Sequence, residues 1–337
     1  MYRDSVFSGD GLFDHWGRVE RYCKIGRTPP PVTVELDLTT ACNHRCPDCV
    51  GGRRSASTLS RREAEGYLRQ MADYGVRGVF FTGGGEPLLH PDAVALIAFA
   101  RRLGLDVGLS TNGARLTRRA CASIVRSCTF ARVSVDAADA ATYRLTHGVD
   151  GFGEVVEKVR MLGDANAAAG EPCTVGVGYL TDERTRGGMV EAAQLFAMPG
   201  INYLHFRPFH FDRTDISGEL AECRLCETDR YRIRASAQKY SRFREAERGY
   251  RYCHGSYFVG VIEASADVPL CCHYRAEPRL SLGNLRGATF ADIWEGPRRG
   301  EILATLDVRA CVPFCRADAL SRLVARVIAE REHTNFI

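Results

Sequence analysis

The sequence has no apolar segment long enough to cross a bilayer. Its longest helical apolar run, VALIAFA at 94–100, falls far short of the ~20 residues that a span requires. The opening MYRDSVFSGD lacks the apolar core of a secretory signal, so nothing in it points to export, and a cytoplasmic protein is expected. Charge of one sign is also scarce: 45 Lys and Arg against 41 Asp and Glu leave +4, too little by itself to argue for nucleic acid. Internal repeats and low-complexity tracts are absent beyond a strand–helix alternation, which excludes solenoids and disordered linkers as the main architecture.

What the chain does have is cysteine. Fourteen in 337 residues, with no export signal, point to metal or redox chemistry rather than a disulfide framework. Cys23, Cys121, Cys128 and Cys173 sit in apolar surroundings and read as small buried hydrophobes. The others gather in CNHRCPDC at 42–49, CRLC at 223–226, and a C-terminal region from Cys253 to Cys315.

Hydrophobic periodicity gives six strand–helix units between residues 32 and 212: strands in VTVELDLT, GVRGVFFTG, LDVGLSTN, TFARVSVD, CTVGVGYLT and YLHFRPFH, with helices between them. Ser60 and Glu63 form a capping box that opens the first of these helices. The alternation predicts parallel strands joined by right-handed crossovers. One strand face is apolar (Val34, Leu36, Leu38, Val133, Val135, Leu204, Phe206). The other carries Glu35, Asp37, Ser110, Asn112, Ser134, Asp136, His205 and Arg207. Doubly wound sheets are apolar on both faces, so a polar inner face predicts a partial (β/α)6 barrel instead. Gly176 and Gly178 alternate on one strand and would leave room inside. The expected divisions are an N-terminal extension (1–31), the barrel (32–212), a linker (213–250), a small auxiliary domain (251–316) and a C-terminal helix and tail (317–337).

Cys42, Cys46 and Cys49 are spaced C-x3-C-x2-C in the loop after the first strand, the end of a β/α barrel where active sites form. Completed by His44 they would suit zinc, although zinc sites usually begin with a C-x2-C pair. Left as three on a four-iron cube, they would leave one iron open to a further ligand. With FTGGGEP at 81–87, LSTNG at 109–113 and VSVDAADAATYRLTHG at 133–148, the loop resembles the signature of the radical S-adenosylmethionine (SAM) enzymes.

The resemblance covers about residues 32–210 and implies a SAM-binding [4Fe–4S] cluster on the three cysteines. It further implies SAM contacts from Gly83, Gly84, Gly85 and Glu86 (methionine ammonium), Ser110 and Asn112 (ribose), and Ser134 (carboxylate). Two positions depart from the family pattern: Asp48 stands where an aromatic residue is common, and His147 where an arginine is common. Arg207 would then supply the cation for the SAM carboxylate. The implied reaction is reductive cleavage of SAM and abstraction of a substrate hydrogen, fed by an electron donor such as flavodoxin or ferredoxin.

From Cys253 onward, "LGN…W" and a close cysteine pair resemble the SPASM/twitch auxiliary region of the same enzymes. Cys253, Cys271, Cys311 and Cys315 would close a second [4Fe–4S] cluster, with Cys272 the alternative to Cys271 and a structural zinc site the alternative to the cluster. Cys223 and Cys226 form a separate pair with no assigned role. The inner-face set Glu35, Asp37, Asp136, His205 and Arg207 suggests a hydroxylated small molecule (sugar, aminocyclitol or nucleoside), as in antibiotic biosynthesis, undergoing dehydration, dehydrogenation or epimerisation. A peptide maturase is the alternative, set lower because 31 residues precede the first strand. An RNA-modifying enzyme would use the 230–252 run, whose eight Lys and Arg alternate with Tyr and Phe but read better as a solvated face.

Overall fold

Runs rich in Val, Phe, Tyr and Thr pair into one parallel sheet in the computed structural model, which describes residues 9–51, 55–210, 212–236, 239–240, 248–312 and 315–329. The six expected strands are β1 (Thr33–Leu36), β2 (Gly78–Phe81), β3 (Asp106–Thr111), β4 (Phe130–Ser134), β5 (Thr174–Thr181) and β6 (Tyr203–Pro208). Two further strands flank them. β7 (Arg232–Ala235) pairs with β6 and β8 (Val259–Ile262) pairs with β1, so the order is β7-β6-β5-β4-β3-β2-β1-β8.

The expected linker at 213–250 therefore contains a helix, Ser217–Cys223, and an edge strand of the main sheet. The auxiliary region is likewise joined to the barrel by β8, with Glu35 level with Val261. Each of these strands is four residues long, as β1 and β2 are, but sits among basic and turn-rich residues outside the strand–helix alternation that marks the other six.

Val34, Leu36, Val79, Phe81, Val107, Leu109, Val133, Val177, Leu204 and Phe206 all face the helix side and are buried. Burying each such side chain contributes about 1.5–3 kcal/mol, which makes this face the main source of stability. Ser60 caps the helix Arg61–Tyr74 through the expected reciprocal box with Glu63. The N-terminal segment is packed rather than loose: Leu12 and Val19 form a small core with Phe258 and with Val324 of the C-terminal helix Arg316–Ile328.

The inner face is polar as expected, but its glycines do not leave a void. A Cβ at Gly176 would meet the Tyr203 ring, and one at Gly178 would meet the Arg132 side chain. The two glycines admit large side chains from neighbouring strands, filling the space that the sequence suggested for a ligand.

Candidate active site and cysteine centres

The three-cysteine loop has no regular structure of its own, so its shape is imposed by the strand ends around it. Gly85 passes so close that a Cβ would overlap the Ala41 carbonyl, and Glu86 N–H donates to that carbonyl at 2.9 Å. Gly83 has φ 129°, and its missing side chain makes way for Asp37. Gly84 lies against Asp37 as well. Farther along, Gly148 has φ 66° and abuts the Arg45 carbonyl, while Arg45 N–H donates to the His147 carbonyl at 3.0 Å.

Side chains complete the scaffold. Asn112 donates from Nδ2 to Asn43 Oδ1 at 2.8 Å. Arg184 joins Asp48 (2.7 Å) to Asp182 (2.5 Å), so the departure at position 48 is matched by a cation from the loop after β5. His147 donates from Nε2 to the Val135 carbonyl at 2.8 Å and turns Nδ1 to Cys46 Sγ at 3.4 Å. His44, Cys46 and His147 present donor atoms within 4.8 Å of one another. Burial pushes the Cys46 thiol up to about 12, and burial followed by the nearby His147 holds His44 down to about 4. Cys42 and Cys49 are exposed.

Glu86 and Asn112 have duties that the sequence did not disclose. Glu86 is buried, accepting from Thr111 Oγ1 (2.6 Å) and Leu88 N–H (3.0 Å) on one oxygen and from Asn112 N–H (2.7 Å) on the other. It straps the glycine turn to the end of β3. Asn112 braces the cysteine loop. Ser110 and Ser134 lie half-buried at the ends of β3 and β4.

The C-terminal cysteines converge differently. Cys253, Cys271, Cys311 and Cys315 line one cavity of about 80 Å³, walled by Leu270, Leu306, Val308 and Tyr274. Cys272 faces the other way, into a neighbouring space with Glu35 and Val261. Tyr274 Oη lies 3.1 Å from Cys311 Sγ, and Arg248 donates to the carbonyls of Cys311 (2.7 Å) and Val312 (2.8 Å). Burial raises the thiols of Cys253, Cys271 and Cys315.

The comparisons fit both centres. Residues 36–193 match the family model of the radical SAM superfamily, and residues 253–317 match that of the SPASM iron–sulfur cluster-binding domain. This chain belongs to the radical SAM superfamily. Among its relatives, the mycofactocin maturase MftC of Mycobacterium ulcerans is 30% identical over 141 residues, 41% of this chain and 38% of that protein. The AdoMet-dependent heme synthase of Methanosarcina barkeri is 33% identical over 132 residues, covering 38% and 37%. The PqqA peptide cyclase of Xanthomonas euvesicatoria pv. vesicatoria is 41% identical over 88 residues, covering 25% and 23%. The matches thus span well under half of these relatives. Streptococcus suis SuiB bound to S-adenosylmethionine shares the fold, with a TM-score of 0.66 at 16% identity over 88% of this chain and 73% of that one.

As a radical SAM enzyme with a SPASM domain, the protein uses a SAM-binding [4Fe–4S] cluster and auxiliary iron–sulfur binding. The donor sets suit them: three thiols in an open loop, and four thiols around one cavity. Iron takes the thiolate form of each ligand, so loading it displaces the protons that these thiols carry.

The expected substrate residues fare less evenly. Glu35 is taken up by two cations, Arg275 at 2.6 Å and Arg316 at 2.6 Å, and Asp37 by Arg275 at 2.7 Å. Arg275 and Arg316 stand just after the cysteine segments, so this buried network ties the SPASM region to β1. Asp136 accepts from Leu180 N–H at 2.7 Å and lies 3.5 Å from His147. His205 pairs with Ser236 at 3.1 Å. Arg207 makes no hydrogen bond from its Nε among the described residues. Cys223 is fully buried in the main hydrophobic core, and half-buried Cys226 packs against that core. Of the basic 230–252 run, residues 237–238 and 241–247 lie outside the described residues, and Arg234 points into the sheet interior rather than to solvent. Among the described residues, no helix is long and apolar enough to cross a membrane.

Proposed function

We propose that this radical SAM enzyme modifies a peptide, acting on an amino-acid side chain brought into the barrel mouth. The observation that carries this reading is the capture of Glu35 and Asp37 by Arg275 and Arg316. A sugar or aminocyclitol needs acceptors as well as donors around its hydroxyls and amines, and this network withdraws two of the three inner-face carboxylates expected to serve. What is left on β4 to β7 is rich in donors. A maturase and a peptide cyclase among the relatives support the same reading. The hydroxylated small molecule is therefore set aside in favour of a peptide.

With SAM on the three-cysteine cluster, the cofactor pair supplies one-electron cleavage of the sulfonium and a radical able to take hydrogen from carbon. Cys42, Cys46 and Cys49 hold that cluster, and Cys253, Cys271, Cys311 and Cys315 hold the second. The backbone of Gly83, Gly84 and Gly85 leaves room for the SAM methionine end. Ser110 and Ser134 offer hydroxyls at the strand ends. His147 buttresses Cys46. Electrons come from a flavodoxin- or ferredoxin-type donor, which suits a reducing cytoplasm.

The test is anaerobic incubation of reconstituted enzyme, SAM and reductant with short peptides encoded beside its gene, read by mass spectrometry. A peptide mass change that depends on Cys42, Cys46 and Cys49 supports the reading. Unchanged peptides, with turnover of a hydroxylated small molecule instead, overturn it.

A further inference from the structure

The interior of β4 to β7 holds more positive charge than a single SAM carboxylate requires. Register places Arg132 beside Gly176, Gly178 beside His205, and His205 beside Arg234, so these side chains share one face. Arg207 follows two residues after His205, and Lys239 lies just beyond β7. Arg132 and Arg234 are nearly inaccessible to solvent, at 4% and 7% exposure.

The carboxylate that acts on Arg132 and Arg207 is Asp136, and it is already engaged by Leu180 N–H and His147. The Nε atoms of Arg207 and Arg234 are buried with no hydrogen-bond partner among the described residues. Arg234 rests its guanidinium 5.2 Å from the Tyr203 ring centroid. The positive charge is felt at His205 and Lys239. Burial, then Arg207, Arg132, Arg234 and Lys239, hold His205 well below the ordinary histidine range, and burial with Arg207 lowers Lys239 to about 8.

A buried guanidinium nitrogen left without a hydrogen bond is costly, and a planar guanidinium fork matches a carboxylate with two parallel hydrogen bonds. We propose that Arg207 and Arg234 form a carboxylate-recognition site inside the barrel, which docks an acidic group of the substrate peptide. The site rests on the peptide reading for the identity of its ligand, but not for its charge. It sets register: with the carboxylate anchored on β6 and β7, the carbon to be attacked lies a short, fixed distance along the peptide. Tyr203 contributes by lying under the Arg234 guanidinium, in the space that Gly176 leaves for its ring. A phosphorylated ligand would use the same charges. The peptide is favoured because of the named relatives.

The test uses reconstituted, SAM-loaded enzyme and isothermal titration calorimetry with four probes: acetyl-Ala-Glu-Ala-amide, acetyl-Ala-Gln-Ala-amide, glutarate and pyrophosphate. The glutamyl peptide should bind at least ten-fold more tightly than the glutaminyl one. Arg207→Gln and Arg234→Gln should each remove that preference, Arg234→Lys should retain part of it, and iron content and SAM affinity should be unchanged. Equal binding of the two peptides, or a preference that survives both glutamine variants, overturns the proposal. So does loss of SAM affinity in Arg207→Gln or Arg234→Gln with the peptide preference intact, which would assign the cations to the cofactor. Pyrophosphate binding more tightly than glutarate overturns the carboxylate assignment. Arginine-dependent binding of glutarate with neither peptide bound supports the anion site and overturns only the peptide reading. Binding of none of the four overturns the site.

Discussion

The two cysteine centres of this protein are built on opposite plans. Cys42 and Cys49 are exposed on a loop without regular structure, and that loop is held by groups outside the ligand set: Asn112 on Asn43, Arg184 on Asp48, Gly85 against Ala41 and Gly148 against Arg45. Cys253, Cys271, Cys311 and Cys315 instead line a cavity with apolar walls, and their segments are locked to β1 through Arg275 and Arg316. A centre that must admit a further ligand is kept open and positioned by struts. A centre with all its ligands supplied by protein is enclosed and fastened.

Removing ligands should break the contrast most sharply. Replacing Cys42, Cys46 and Cys49 together with Ala should abolish SAM cleavage and reduce iron from about eight per chain to about four, since each cube carries four. Iron analysis and quantification of 5′-deoxyadenosine check this. Next in size, Cys271→Ser should lose iron from the enclosed centre while Cys272→Ser keeps it, because only Cys271 faces the four-thiol cavity. Equal iron loss in both would reopen the choice between them. Arg275→Met leaves Glu35 and Asp37 short of their shared cation, and breaking such a buried pair costs about 3–5 kcal/mol. Denaturant unfolding of the metal-free protein should show that loss.

A smaller change sharpens the comparison at the open centre. Glu86→Gln sets an amide against donors from Thr111 and Asn112, and should cost roughly 1.5–3 kcal/mol of stability through a lost charge-assisted hydrogen bond. Thermal unfolding reads it. A fall in SAM affinity with unchanged stability would return Glu86 to direct cofactor contact.

The fold and the three-cysteine loop were legible in the sequence because each is written in local spacing: period-2 strands, C-x3-C-x2-C, and glycines at strand ends. The C-terminal cysteines, spread over 253–315, were reached only through the resemblance of their region. The edge strands β7 and β8 were not legible, since they lie outside the strand–helix alternation, among basic and turn-rich residues. The strut roles of Glu86 and Asn112 were hidden for a different reason. A motif records that a carboxylate stands at 86, and only the folded chain shows Thr111, Leu88 and Asn112 donating to it. Glu35 misled most. Its alternation onto the inner face was read correctly, but its neutralisation by Arg275 and Arg316 comes from residues 240 and 281 positions away.

The central claim is that one centre is open to SAM and the other closed. Electron paramagnetic resonance of dithionite-reduced enzyme, recorded with and without SAM, tests it directly in two variants. With Cys253, Cys271, Cys311 and Cys315 replaced by Ala, the remaining cluster signal should shift when SAM is added. With Cys42, Cys46 and Cys49 replaced, the remaining signal should not move. A SAM-dependent shift in the second variant, or none in the first, would contradict the account.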